Sequence, residues 1–281
     1  MKKRTKGVLA AALAAAGVFL LAGLDARLLV RAYTVESGRL TGPVRLAVLT
    51  DLHACAYGEG QRELLDAVAE QSPDLVLLCG DIVDDEPRMP EARALDTVEA
   101  LAAVWPTYYV TGNHEARVSE CAELKAGLEA AGVVVLENER GEIELSGETI
   151  TILGVDDPSF NTDYLFGDSA SVVSNTLAEI STEDEGFAVL LSHRPELFDT
   201  YVACGVDLAL SGHAHGGQFR LPFVGGLVAP NQGLFPKYDS GLYTEGNTNM
   251  IVSRGIGNSI LPFRFNNRLE VILIELKATP N

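Results

Sequence analysis

All five histidines of this chain, His53, His114, His193, His213 and His215, stand just beyond the end of a short apolar run. The runs cover residues 44–50, 107–110, 187–191 and 206–210, and a further one covers 74–79. Carboxylates or an amide accompany three of them, in Asp51-Leu52-His53, Gly80-Asp81-Ile82-Val83-Asp84 and Gly112-Asn113-His114-Glu115. Short apolar runs bounded by turn residues read as buried strands. Histidines scattered over a surface do not all fall at strand ends. In an open α/β sheet, ligands gather outside the carboxyl ends of the strands. A fold for this chain therefore has to bring several strand ends to one place.

The stretch 206–218 shows the pattern in its densest form. An apolar strand stops at Gly212, and His213 and His215 follow two residues apart. Glycines on either side let the backbone turn, so that both imidazoles can approach one point. Neutral imidazoles aimed at one point suit a borderline metal such as zinc, manganese or iron. For this stretch alone, a polar loop with two incidental histidines is the plain alternative. The other strand ends weigh against it.

The remaining periodicity predicts an α/β chain. Helices are expected over 61–70, over 91–105, and from a Ser119 cap to Gly132, alternating with the strands 44–50, 74–79 and 107–110. A strand at 133–136 follows, then a hairpin of 142–145 and 149–153 around Ser146-Gly147, and a polar loop over 156–168. A helix over 169–180, the strand 187–191 and a helix opened by Pro195 come next. Beyond the histidine pair, a strand begins at 218–221. Residues 222–247 form a long glycine-rich, aromatic loop, and strands at 250–253 and 269–276 complete the sheet. A loop of that length in a compact domain is usually functional; a hydrophobic cover over the sheet edge is the plain alternative.

At the N terminus Lys2, Lys3, Arg4 and Lys6 precede 18 uncharged residues, 7–24. That run is at the short end for a membrane span, and the basic cluster ahead of it predicts a cytoplasmic N terminus with the rest outside. The expected organisation is a basic tail 1–6, a transmembrane anchor 7–24, a linker 25–42 and one domain over 43–281. Cleavage of 7–24 as a signal segment, giving a secreted or wall-associated protein, is the alternative. The chain has 39 acidic and 21 basic residues, a net charge of −18. This argues against nonspecific nucleic-acid binding, which runs on Lys and Arg, and an anionic substrate would need positive charge supplied locally, as bound metal ions do. Four cysteines without a CxxC pattern are no disulfide scaffold. Cys79 reads as a packed thiol; Cys55, two residues after His53, either packs nearby or makes the site oxidation-sensitive.

Taken in order, Asp-x-His, Gly-Asp-x-x-Asp, Gly-Asn-His-Glu, His and Gly-His-x-His resemble the motifs of the calcineurin-like metallophosphoesterases, from Asp51 to His215. The segments Gly212-His213-Ala214-His215-Gly216-Gly217-Gln218, Phe235-Pro236-Lys237-Tyr238 and Ser253-Arg254-Gly255-Ile256-Gly257-Asn258 resemble its membrane- or wall-associated bacterial branch. That branch includes enzymes cleaving the pyrophosphate of UDP-diacylglucosamine. The resemblance implies an α/β fold of two facing mixed sheets flanked by helices in four layers, here preceded by one transmembrane helix. It implies two divalent metal ions (manganese, zinc, iron or cobalt), the first held by Asp51, His53 and His215. Asn113, His193 and His213 would hold the second, and Asp81 would bridge both. A hydroxide between the metals would be the nucleophile. His114 would protonate the leaving oxygen, with Asp84 orienting its imidazole. Acidic residues after a strand are also commonly solvated loop groups, an alternative that applies more strongly to Glu115. Arg254 is a candidate for a substrate phosphate and equally for a structural ion pair.

The expected activity is hydrolysis of a phosphodiester or pyrophosphate bond in an envelope-associated substrate, lipid-linked or a wall polymer. Two alternatives stand beside it: a phosphomonoesterase acting on phosphoproteins, and an inactive scaffold on the same fold. A scaffold would have lost ligand histidines, and this chain keeps them. Oligomeric state is left open.

Overall fold

Strands of this chain are apolar at nearly every position because both of their faces are covered. In β2 (Val44–Leu49) and β3 (Leu75–Cys79), Val44, Leu46, Val48, Leu75, Leu77 and Cys79 face one core, while Ala47, Leu49, Val76 and Leu78 face another. A strand with a single buried face would alternate with polar residues. The computed structural model describes residues 8, 17, 21–85, 91–161, 168–181, 186–258, 261 and 263–279.

In chain order the elements are β1 (Leu29–Ser37), β2, α1 (Arg62–Ala69), β3, α2 (Glu91–Ala102), β4 (Thr107–Val110), α3 (Cys121–Ala130), β5 (Val134–Val135), β6 (Glu139–Leu145) and β7 (Glu148–Gly154). Then follow α4 (Ser169–Ile180), β8 (Phe187–Leu191), α5 (Phe198–Ala203), β9 (Leu208–Ser211), β10 (Arg220–Leu221), β11 (Gly225–Gly226), β12 (Val228–Ala229), β13 (Gly233–Leu234), β14 (Gly241–Glu245), β15 (Thr248–Val252) and β16 (Glu270–Ala278). Two six-stranded sheets form, in the orders β1-β16-β2-β3-β4-β5 and β14-β15-β9-β8-β7-β6. In the first, β2 to β5 run parallel and β16 is antiparallel to β2; in the second, β7, β8, β9 and β15 run parallel with antiparallel edges. The sheets face each other across a shared core to which Val48, Leu77 and Ile274 contribute from one side and Ile152, Val189 and Leu210 from the other. Helices α1 to α3 cover the first sheet and α4 and α5 the second. The expected pair of mixed sheets between helical layers is thus the observed architecture.

Several expectations change. The stretch 25–42 is not a simple linker: β1 pairs along its whole length with β16, from Leu29↔Glu270 to Ser37↔Ala278. It escapes the apolar-run rule because it is an edge strand, with only Val35 fully buried. Ser119 does not cap α3; its hydroxyl bonds the Glu120 carboxylate, and the helix starts at Cys121. The strand expected at 218–221 is two residues long, and the loop 222–247 is built of two small hairpins followed by β14. Most of the apolar run 7–24 lies outside the described residues, as do Tyr164 and Phe166 of the polar loop. Among the described residues, no helix is long and apolar enough to cross a membrane.

Candidate metal centre

Parallel strands deliver their carboxyl ends to one edge of the sandwich. There β2 presents Asp51 and His53, β3 Asp81, β4 Asn113 and His114, β8 His193, and β9 His213 and His215. Each chain turns sharply to do so. Asp51, His53, Asp81, His213 and His215 all adopt positive φ, between 46° and 63°. This left-handed region is costly for residues with a Cβ and collects at functional sites. Two glycines make the convergence possible: a Cβ on Gly112 would run into the Asp81 carboxylate, and one on Gly212 into that of Asp51.

Among the described residues, the side chains gather in four overlapping groups; His53, Asp81 and His114 make one and Asp84, Asp85 and His114 another, and the remaining two are made of expected ligands. Asp51, His53 and His215 form one: the Nε2 atoms of His53 and His215 are 3.2 Å apart, and His215 Nε2 is 3.4 Å from Asp51 Oδ1. Asp81, His193 and His213 form the other, with His193 Nε2 3.0 Å from Asp81 Oδ2. The same Asp81 Oδ2 is 4.0 Å from His53 Nε2, so this carboxylate lies between the groups. Its Oδ1 accepts the backbone N–H of His114 at 2.8 Å. His193 Nδ1 lies 2.7 Å from the Cys79 carbonyl. A carbonyl only accepts, so Nδ1 carries a proton and Nε2 is the nitrogen that faces the cluster. Among the described residues, buried His193 Nε2 and Asn113 Oδ1 have no partner in hydrogen-bonding geometry. Unpaired buried acceptors beside carboxylates are a donor set for a divalent cation, so the residues present fit the metals that the motifs imply.

Electrostatics agree with that fit. Burial first, then the Arg194 charge, pushes His213 down to about 3. Burial, then the charges of His53 and Arg264, hold His215 well below its ordinary value. Both are therefore neutral, as metal ligands must be. His193 behaves oppositely: burial opposes its charge, but the Asp81 carboxylate prevails and raises it to about 10. Burial likewise opposes the charge on His53, while Asp84, Asp81 and Asp51 together raise it. Without metal, protons sit where cations would.

A pH dependence follows. His193, raised from 6.5 to about 10, gives stability that is full below 6.5 and lost as pH climbs through about 10. Glu115, raised from 4.5 to about 7 by burial and by Asp81, acts in the same direction over its own window. The melting temperature of metal-free protein is expected to fall as pH rises from neutral through these values. Added divalent ion, taking the proton's place, is expected to flatten the trend. An equally steep fall with saturating metal in a melting series would contradict this.

The residues around the groups were only partly visible in the sequence. Asp84 is expected beside His114 but lies closer to His53, its Oδ2 3.0 Å from His53 Nδ1, against 3.7 Å from its Oδ1 to His114 Nδ1. The carboxylate nearest His114 Nδ1 is that of Asp85, at 2.8 Å. Glu115 is no solvated loop acid. It is fully buried and accepts the backbone N–H groups of Asp81, Ile82, Val83 and Gly112, binding the β3 loop to the β4 loop. Glu115→Ala would strand four donors at roughly 1–3 kcal/mol each. A loss of about 4 kcal/mol or more in denaturant unfolding is expected, or failure to fold; a stability close to wild type would refute the organising role.

Arg194 and Asn231 had no sequence signal beyond their neighbours. Arg194 is buried, forked onto Asp157 at 2.5 and 2.8 Å, and its Nη1 reaches Asn231 Oδ1 at 2.7 Å and His213 Nε2 at 3.1 Å. Asn231 Oδ1 lies 2.8 Å from His213 Nε2. Arg264, also buried, lies 3.1 Å from His215 Nδ1. In a strongly acidic chain these are the local positive charges. Arg254, by contrast, faces buried Glu270 at 3.5 Å, and is not among the residues lining the central cavity. Burial raises the Cys55 thiol, which makes it a poor target for oxidation.

A cavity of about 400 Å³ opens over the centre. Asp81, Asn113, His114, Arg194, His213 and His215 form its floor and Val228, Ala229, Pro230, Asn231 and Leu261 stand among its walls. Thus part of the loop 222–247 borders the site directly.

Residues 44–217, which hold the whole cluster, match the family described as calcineurin-like phosphoesterase. The chain is 31% identical over 240 residues to the uncharacterized metallophosphoesterase YkuE of Bacillus subtilis, covering 84% of this chain and 79% of that one. It is 30% identical over 239 residues to the phosphodiesterase YaeI of Escherichia coli, covering 83% and 82%. It is 28% identical over 249 residues to a transmembrane protein with metallophosphoesterase domain from Bos taurus, covering 84% of this chain and 54% of that protein. With a strand-end cluster of the matching residues inside the matched span, the chain belongs to the calcineurin-like phosphoesterase family and is a metal-dependent phosphoesterase.

Proposed function

We propose that this chain hydrolyses a phosphodiester or pyrophosphate bond of an envelope-associated, lipid-linked substrate at a centre of two divalent metal ions. The observation that carries the two-metal reading is the position of Asp81 Oδ2, 3.0 Å from His193 Nε2 and 4.0 Å from His53 Nε2, shared by both donor groups. Asp51, His53 and His215 would hold one ion and Asn113, His193 and His213 the other, with Asp81 bridging. Divalent ions held there would polarise the phosphoryl oxygens and lower the pKa of water to supply a nucleophile.

The chain's own residues do the rest. Asp84 orients His53 through Nδ1, and Glu115 holds the loop carrying Asp81 in register with the loop carrying Asn113. Asp85 on Nδ1 of His114 leaves the other ring nitrogen to deliver a proton to the leaving oxygen. Arg194, forked onto Asp157 and bonded through Nη1 to Asn231, lines the cavity and brings positive charge near a substrate phosphate. The relative named a phosphodiesterase supports a diester over a monoester.

The localisation is part of the same proposal. Basic residues 2–6 ahead of the uncharged run 7–24 support a single-pass anchor with the catalytic unit outside the cytoplasmic membrane, and the relative named a transmembrane protein is in keeping with it. Because β1 belongs to the first sheet, that unit begins by Leu29, not at 43.

A substrate panel on the full chain in mild detergent tests the function: bis-p-nitrophenyl phosphate, a nucleoside-diphosphate lipid, and p-nitrophenyl phosphate. Preference for the two diesters is expected; preference for the monoester would establish the phosphomonoesterase reading instead. A reporter fused at the C terminus is expected to be active outside the cytoplasm, and activity only inside would overturn the topology.

A further inference from the structure

We infer that the two small hairpins beside the cavity form a lipid-docking face that seats the mouth of the metal centre on the bilayer surface. The inference deepens the envelope reading above and rests on it. β10 and β11 make the first hairpin, β12 and β13 the second. Around the turn of the first hairpin Leu221, Phe223 and Val224 are exposed, at the base of the second Leu234 and Phe235, and Phe263 is exposed beside Phe219. Phe223 also sits at φ 67°, a left-handed conformation unusual for an aromatic residue, with its ring entirely in solvent. Contiguous exposed apolar side chains of this kind mark membrane or protein contact sites.

These residues form one surface. The Leu227 N–H donates to the Phe219 carbonyl and the Phe235 N–H to the Leu227 carbonyl, which locks the hairpins side by side. Phe219 and Phe263 have ring centroids 5.6 Å apart, and Gln218 Nε2 donates to the Phe263 carbonyl at 2.6 Å. The surface continues into the cavity, whose walls include Val228 and Leu261.

Two observations select a bilayer as the occupant. The first is where the apolar N-terminal run ends. Phe219 bridges to Phe265, a Cβ on Gly23 would overlap the Phe265 ring, and the Asn266 N–H donates to the Gly23 carbonyl at 2.5 Å. Leu21 and Leu24 are exposed on either side of that contact. The run expected to lie in the membrane therefore has its described end, residues 21–24, beside Phe265 and, through Phe219, the first hairpin. The second is charge. In a chain with 39 acidic residues, 218–238 and 246–269 contain no Asp or Glu. The segments that build this face bring no acid of their own to anionic headgroups, and exposed Lys237, with Asp199 3.7 Å from its Nζ, lies in it. Apolar and aromatic side chains beside cationic ones seat about 5–10 Å into the boundary between headgroups and acyl chains.

The test uses the full chain reconstituted into phosphatidylcholine–phosphatidylglycerol vesicles. Its single tryptophan, Trp105, lies next to the start of β4, at the end of the sheet away from the site, and is an internal reference. Phe223→Trp and Phe235→Trp each add one indole to the face. With acyl chains brominated near the headgroup, the added emission is expected to shift to the blue and be quenched, while that of Trp105 keeps its intensity. Chain that floats with the vesicles but gives an unquenched added indole overturns the docking face and leaves the anchor standing. If that indole is blue-shifted, another protein surface covers it; if red, it stays in water. Chain that does not float overturns the anchor and the docking together. Hydrolysis of bis-p-nitrophenyl phosphate by the same vesicles reads the phosphodiesterase function separately.

Discussion

Asp81→Asn is expected to deplete both metal positions at once and abolish hydrolysis. Asp81 Oδ2 stands between the imidazoles of the two donor groups, and the substitution removes a negative charge shared by them. Loss of an outer partner of a ligand typically costs ~10–100-fold in metal affinity, and loss of a bridging carboxylate should exceed this at both positions. The Asn side chain still offers an oxygen to the backbone N–H of His114, so the loop keeps its anchor there. The fold should survive, which circular dichroism would verify. Metal analysis after dialysis is the decisive measurement. Two full equivalents retained in Asp81→Asn would rule out the shared role, and one equivalent would place Asp81 in a single position.

The second large effect separates proton delivery from metal binding. If His114 protonates the leaving oxygen, its value depends on how badly that oxygen needs a proton. An alkoxide is strongly basic, whereas p-nitrophenolate leaves unprotonated. General acid catalysis contributes about 10²–10⁴-fold, or roughly 3–5 kcal/mol at 1.36 kcal/mol per factor of ten. His114→Ala should lose that much on an alkyl phosphodiester and little on bis-p-nitrophenyl phosphate, with its metal content near wild type. His213→Ala should lose metal and depress both substrates together. Equal losses on both substrates with metal retained would exclude the acid role for His114, and loss of metal in His114→Ala would make it a ligand. Asp85→Asn distinguishes the two carboxylates near this ring: Asp85 is at 2.8 Å from Nδ1 and Asp84 at 3.7 Å. A selective loss on the alkyl ester is expected for Asp85→Asn, while Asp84→Asn should act on metal affinity through His53.

The strands, and the residues that end them, were legible because they obey local rules. An apolar run covered on both faces, such as Leu75–Cys79 or Phe187–Leu191, is recognisable from its own residues. The acids, amide and histidines after such runs carry their chemistry wherever the chain places them. So the α/β class, the order of the main elements and the membership of the central cluster could be read from the sequence. Partnerships across the fold could not. β1 is a strand only because β16, some 240 residues later, offers it an edge. Asp84 and Asp85 are neighbours with the same side chain, and only the turn after β3 decides that one meets His53 and the other His114. Glu115 looks like a surface acid until the β3 and β4 loops converge and point four N–H groups at it. Arg194 and Asn231, 37 positions apart, meet at His213 because β8 and β9 lie side by side and a hairpin folds over their ends. Local pattern determines what a segment is and what chemistry it brings. Contacts between distant segments, set by sheet register and loop closure, decide which charge faces which ring.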